Sequence, residues 1–183
     1  MTVRGVQGAT AGALPLHHET RVAVGAPAAA VFALLDDHSR LTAHMTRRSW
    51  MMAGSRMTVE LDADEGRAVG SMIRLHGRVL GIRLELEEIV TLRDSPVRKV
   101  WQTTRPPRLL VIGPYRMGFE ITPRDDSSLL SVYIDYALPD SRPDRWLGRL
   151  LGSWYARWCT RRMARDAAAH FGRPTDVGPG RLP

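Results

Sequence analysis

The chain has 183 residues, of which 44% are apolar, and a net charge of +7. That is one domain's length, and a domain of this size buries roughly 70% of the surface its unfolded chain exposes, so it needs neither metal nor disulfide to hold together. The single cysteine, Cys159, excludes an intramolecular disulfide, and a reducing compartment, the cytoplasm, is the expected setting.

The first residues, MTVRGVQGATAGALPLHH, lack the continuous apolar run of a secretion signal, and no stretch approaches the roughly 20 apolar residues of a membrane span. The pI of about 10.6 would suit nucleic acid or an anionic membrane. Nearly all the cations are arginine, however, with Lys99 the only lysine, which looks more like a coding bias than a binding surface. The arginines are scattered and no standard nucleic-acid motif is present, so no nucleic acid is expected as a partner.

Residues 1–16 have no periodicity and read as a flexible tail. His18 to Val24 is the first predicted strand. Pro27 suits a first helical turn, and Val31, Phe32, Leu34 and Leu35 give the helix that follows an apolar face. Ser39 is placed to cap a second short helix, Arg40 to Met45. The period then changes to two. Arg56 to Leu61, Ser71 to Val79, Ile82 to Leu92, Arg98 to Thr104, Tyr115 to Thr122 and Leu129 to Leu138 alternate as antiparallel strands wet on one side do. The segment PRDDSS reads as the turn of the last hairpin. Asp144 to His170 returns to a helical period over roughly 40 Å. Leu147, Leu150, Leu151, Trp154, Tyr155 and Trp158 form its predicted packing stripe. Residues 172–183 read as a second tail, which leaves 17–171 as the folded domain.

One strand, two short helices, a run of antiparallel strands and a long closing helix form a distinctive order. With the segments ETRVAVGAPAAAVFALLDD, YRMGFEITPRDDSSLLSVYIDYAL and LGRLLGSWYARWCTRRMARDAAAHF, it resembles the helix-grip superfamily. That group includes the birch-pollen allergen, the steroidogenic lipid-transfer (START) domains and the polyketide cyclase/dehydrase proteins (the SRPBCC family). The resemblance implies an α+β fold in which a curved antiparallel sheet of six or seven strands wraps the long C-terminal helix. It also implies an apolar cavity between them. Strand parity puts Ile73, Leu75, Leu84, Leu86, Met117, Phe119, Val132 and Ile134 on the inner wall, and the helix stripe adds Trp154 and Trp158. The alternative is that these side chains simply fill the core.

Catalytic signatures are scarce. Cys159 has no histidine at helical contact spacing and reads as a core thiol. Neither a nucleophile elbow nor a phosphate loop is present. His17 and His18 are adjacent in an extended segment and point apart, and Asp36, Asp37 and His38 read as a solvated turn, so no metal and no other cofactor is expected. Glu88 has the parity of Leu84 and Leu86. Either it points inward, where burial would raise its pKa as a general acid needs, or a bulge after Glu87 turns it outward and Ile89 inward. The bulge is the preferred reading. Tyr136 is a second inward candidate. Arg161 and Arg165 continue the stripe of Trp154 and Trp158, and either bend out to water, which is preferred, or reach in to an anionic or carbonyl group. Leu109, Leu110, Val111 and Ile112 either gate the cavity, as the resemblance suggests, or continue a strand.

The expected function is binding or transport of a hydrophobic small molecule: a lipid, a polyketide or an aromatic metabolite. The alternative is a cyclase/aromatase-like enzyme without metal or nucleotide cofactor, with Glu88, Tyr136 and Arg161 as its catalytic candidates. A third reading is a peripheral protein on an anionic membrane surface, drawn from Trp146, Trp154 and Trp158 among Arg145, Arg149, Arg157 and Arg162. It is weakened by the expectation that the sheet already covers the helix's apolar face.

Overall fold

The computed structural model describes residues 13–37, 57–79 and 82–172. The predicted helix Arg40 to Met45 lies outside the described residues, as do residues 1–12 and 173–183 of the two predicted tails. In chain order the elements are β1 (Leu16–Val24), α1 (Ala28–Asp36), β2 (Met57–Leu61), β3 (Met72–Val79), β4 (Ile82–Asp94), β5 (Arg98–Thr103), β6 (Tyr115–Arg124), β7 (Ser127–Tyr136) and α2 (Arg142–Phe171).

The strands form one seven-stranded antiparallel sheet in the order β1-β7-β6-β5-β4-β3-β2. Strands β2 to β7 meander, each pairing with the next, because short connections favour neighbours. The last hairpin turns at Asp125 and Asp126, with Arg124 opposite Ser127. Strand β1 joins the far edge, pairing along its whole length with β7.

Alternation decides which side chains are buried. In β7 Ser128, Leu130, Val132, Ile134 and Tyr136 are buried and their neighbours are not. In β6 Tyr115, Met117, Phe119 and Ile121 point the same way. All eight side chains assigned to the inner wall by parity are buried. Each contributes about 1.5–3 kcal/mol relative to exposure.

Helix α2 lies mainly against β1 and β7, and its predicted stripe takes part only through Tyr155 and Trp158, which pack on the core. Its buried positions are Gly148, Gly152, Ala156, Cys159, Thr160, Met163, Ala164 and Ala167. Leu150, Leu151 and Trp154 are exposed instead. The reason is distance. A Cβ on Gly148 would sit 2.8 Å from Pro139 and 3.0 Å from the Val111 carbonyl oxygen, and one on Gly152 would also lie 3.0 Å from that oxygen. At these two positions the backbone approaches too closely for a side chain, so glycines face in, while Met163 packs inward further along.

Candidate functional site

Strand β4 carries the decisive residue. The β3–β4 ladder is regular, with Leu75 opposite Leu86 and Ile73 opposite Glu88. Glu88 also pairs with Thr103 of β5, and the irregularity in β4 falls later, between Val90 and Leu92. The preferred bulge after Glu87 is therefore corrected. Glu88 keeps the parity of Leu84 and Leu86, points inward and is 4% exposed.

Two neighbours in the sheet reach the Glu88 carboxyl. The Tyr115 hydroxyl, from the first residue of β6, donates to Oε1. The Trp101 side chain, from β5, makes a second hydrogen bond. Neither donor carries a charge. Burial pushes the Glu88 pKa up to about 7, and the bonds from Tyr115 and Trp101 only partly offset that rise. The acid is thus held near the middle of its titration at neutral pH. With Tyr115 donating to Oε1, Oε2 is the oxygen left to carry the proton.

From α2, Tyr155 and Cys159 stand close to this pair. They are hydrogen-bonded to each other, and both interact electrostatically with Tyr115. Burial drives the Cys159 thiol up to about 12, which removes it as a nucleophile at neutral pH. Burial and the Glu88 charge likewise hold Tyr115 well above its ordinary value, so it serves as a neutral donor. The rings of Trp101 and Phe119 meet edge-on at 6.3 Å, and those of Phe119 and Phe32 at 5.6 Å. Glu88 therefore stands at one end of an aromatic row.

At the other end of that row lies a second buried carboxylate with a different shell. Asp36, the last residue of α1, receives a 2.7 Å bond from Lys99 Nζ and a 2.8 Å bond from Arg93 Nη2. Lys99 also donates to the Asp36 carbonyl oxygen at 3.1 Å, satisfying an open helix end. The Arg93 guanidinium sits 5.4 Å from the centre of the Phe32 ring. Burial acts to raise the Asp36 pKa, but the two cations outweigh it and hold the carboxyl below its ordinary value. The reading of Asp36 as part of a solvated turn is corrected, because the lone lysine of the chain is wholly buried against it. Asp37 faces Arg67 across 4.0 Å, and His38 lies outside the described residues.

The other candidates separate clearly. Tyr136 is buried on the inner face, and burial raises its pKa. Arg161 is exposed and does not reach inward, so its candidacy as a catalytic group inside the cavity is corrected. Its guanidinium, with that of Arg157, lies near His18, whose pKa is lowered by burial first and then by these cations. Arg165 is exposed as well. Trp154 is half exposed and does not line the interior, whereas Trp158 is half-buried, packs on the core and stacks obliquely on Tyr155 at 6.0 Å. Of the proposed gate, Ile112 is buried and Leu109 packs on the core, while Leu110 and Val111 are half-buried. This segment is not a strand; just before it Arg108 forms an isolated bridge with Glu85, and just after it Gly113 N–H donates to the Ala137 carbonyl oxygen at 2.9 Å.

His17 and His18 do point apart. His17 Nδ1–H donates a 2.7 Å bond to the Asp135 carboxylate on the outer face, and His18 faces the helix side with its Nε2 buried and without a hydrogen-bond partner among the described residues. Among the described residues no cluster of His, Cys, Asp or Glu could hold a metal, and no helix is long and apolar enough to cross a membrane.

Parity could have found more. Trp101 shares its face with Lys99, and Tyr115 lies two residues before Met117, an assigned inner residue.

A curved sheet closed by a long helix accords with the sequence family that matches residues 15–171, described as polyketide cyclase/dehydrase and lipid transport. The chain belongs to this family. Its fold is the helix-grip fold of the wider SRPBCC superfamily, and solved structures share it at low identity. The TTHA0849 protein from Thermus thermophilus aligns with a TM-score of 0.61 and 12% identity, over 86% of this chain and 99% of that one. Norcoclaurine synthase from Thalictrum flavum aligns with a TM-score of 0.59 and 16% identity, over 85% of each chain. The Zhui aromatase/cyclase from a Streptomyces species gives 0.57 and 15%, over 85% of this chain and 94% of that one. At these identities the likeness speaks for fold alone. Comparison with curated proteins finds no match.

Proposed function

We propose that this family member binds a largely apolar small molecule between the concave face and α2, and holds one oxygen of it on Glu88. The observation behind this reading is the Glu88 shell. A carboxyl removed from water without a cation is costly, and such groups are retained where a ligand needs an acid or a hydrogen bond. The inner walls, Ile73, Leu75, Leu86 and Met117, offer a guest only apolar contact, so the polar end would set its orientation. Helix α2 packs closely on β1 and β7 rather than on β2 to β4, which favours a guest placed beside β3, β4 and β5.

The protonated acid suits a ligand carbonyl or ether oxygen, and the carboxylate suits a phenol or enol hydroxyl. Both functions occur on polyketides and aromatic metabolites. A pKa near 7 also supports a second reading, a cyclase/aromatase-like enzyme in which Glu88 exchanges a proton with the bound carbonyl compound.

Mass spectrometry of an organic extract of the purified protein, beside a mock purification, tests the binding reading. One enriched, mainly apolar compound carrying an oxygen function is expected. An empty extract, together with no saturable binding of an apolar fluorescent probe, would refute it. Glu88→Gln then separates the two readings. It spares binding in both and abolishes turnover of a poly-β-carbonyl substrate only if Glu88 is the acid.

A further inference from the structure

We propose that the outward face of α2 is a docking surface for an anionic lipid bilayer. The inference rests on the protein's exterior and is independent of what the interior binds. Because the first half of the helix packs through Gly148, Gly152 and Ala156, Trp146, Leu150, Leu151 and Trp154 are displaced outward. Trp146 is 66% exposed, Leu150 57%, Trp154 50% and Leu151 41%. Trp146, Leu150 and Trp154 follow one another at four-residue spacing, so they share one face of the first half of the helix. Contiguous apolar surface of this kind is uncommon on a protein that meets only water.

Charge selects the partner. The same angular sector continues beyond the tryptophans with Arg157, Arg161 and Arg165, all exposed, and Arg145 and Arg149 flank its beginning. Among the described residues none of these five arginines pairs with a carboxylate; on this helix Arg162 does, with Asp166 at 3.0 Å. The outer face of the sheet is different. There Arg74, Arg83 and Arg116 pair with Glu87, Glu85 and Asp135. The helix thus presents apolar rings at one end and uncompensated cations at the other. Indole rings seat at the headgroup level, and guanidinium groups take phosphate oxygens. A neutral partner would satisfy the first half of the helix and leave the second unpaired.

The experiment is co-sedimentation of the full chain with phosphatidylcholine vesicles, with and without phosphatidylglycerol, together with tryptophan quenching by brominated lipid. Binding only to the anionic vesicles, weakening as salt rises, is expected. The double variant Trp146→Ser/Trp154→Ser should weaken it about tenfold or more, since the lost area is the inserted part. Arg149→Gln and Arg157→Gln should each weaken it about fivefold. All four positions are exposed, so the variants should unfold at the temperature of the parent. Three results would overturn the proposal: no vesicle binding, binding indifferent to these variants, or a dimer in light scattering that the tryptophan variant dissolves, which would make a second copy the occupant.

Discussion

Among the described residues two carboxylates are buried, and they are treated in opposite ways. Asp36 and Glu88 are 5% and 4% exposed. Asp36 ends a helix and is clamped by Lys99 and Arg93. Glu88 sits mid-strand and, among the described residues, meets the neutral donors Tyr115 and Trp101. Burial alone would raise both pKa values, and the cations reverse the sign at Asp36 alone. Burial is common to both sites, so it does not mark function here. The two differ in counter-charge: among the described residues Glu88 has none, which leaves a group able to change protonation near neutral pH.

The largest expected effect lies at the clamped site. Asp36→Asn leaves the Lys99 ammonium buried without its anion and should cost about 3–5 kcal/mol in urea unfolding. A loss below about 1 kcal/mol would mean the cluster is solvated, and the contrast would fail.

The second effect is a difference in pH dependence. The unfolded chain ionises Glu88 near 4.5, whereas the folded chain holds the proton to about 7. Stability from this group is full below 4.5 and is lost as pH rises through about 7, by about 3 kcal/mol in all. Asp36 acts in the other direction. Its contribution is present above the unfolded value of 3.8 and is lost as pH falls through its lower folded value. Chemical denaturation across pH should therefore show stability falling from about pH 4.5 to about 8. Glu88→Gln should flatten that fall and leave the acid limb in place.

The smallest effect is at the donor. Tyr115→Phe removes the bond that favours the carboxylate, at about 0.5–1.5 kcal/mol. The Glu88 pKa should then move further up, as read by carbon NMR of the side-chain carboxyl. A downward movement would show that another cation or water had entered.

Much of the fold is legible in the sequence because alternation and helical period both follow from geometry that every residue shares. The inner wall from Ile73 to Ile134 follows from parity alone. The direction of Glu88 does not, since either continuation of β4 is chemically reasonable; the irregularity falls beyond Val90, where it leaves Glu88 in register. The helix stripe holds at Tyr155 and Trp158 but misleads at Leu150, Leu151 and Trp154, because large apolar residues suggest a packing face. Close approach instead selects Gly148, Gly152 and Ala156, whose small size is a weak signal in a sequence. The Asp36 clamp joins residues up to 63 positions apart, and no local pattern announces such a pair. Only the isolation of Lys99 among arginines points to it.

Glu88 as a buried, neutral-capable acid can be tested by titrating the glutamate carboxyl carbons of the labelled protein, with Glu88→Gln assigning the signal by its loss. One carboxyl titrating near 7 and missing from the variant is the predicted result. A Glu88 signal that titrates at or below 4.5 would contradict it, because the group would then be solvated or paired like Asp36.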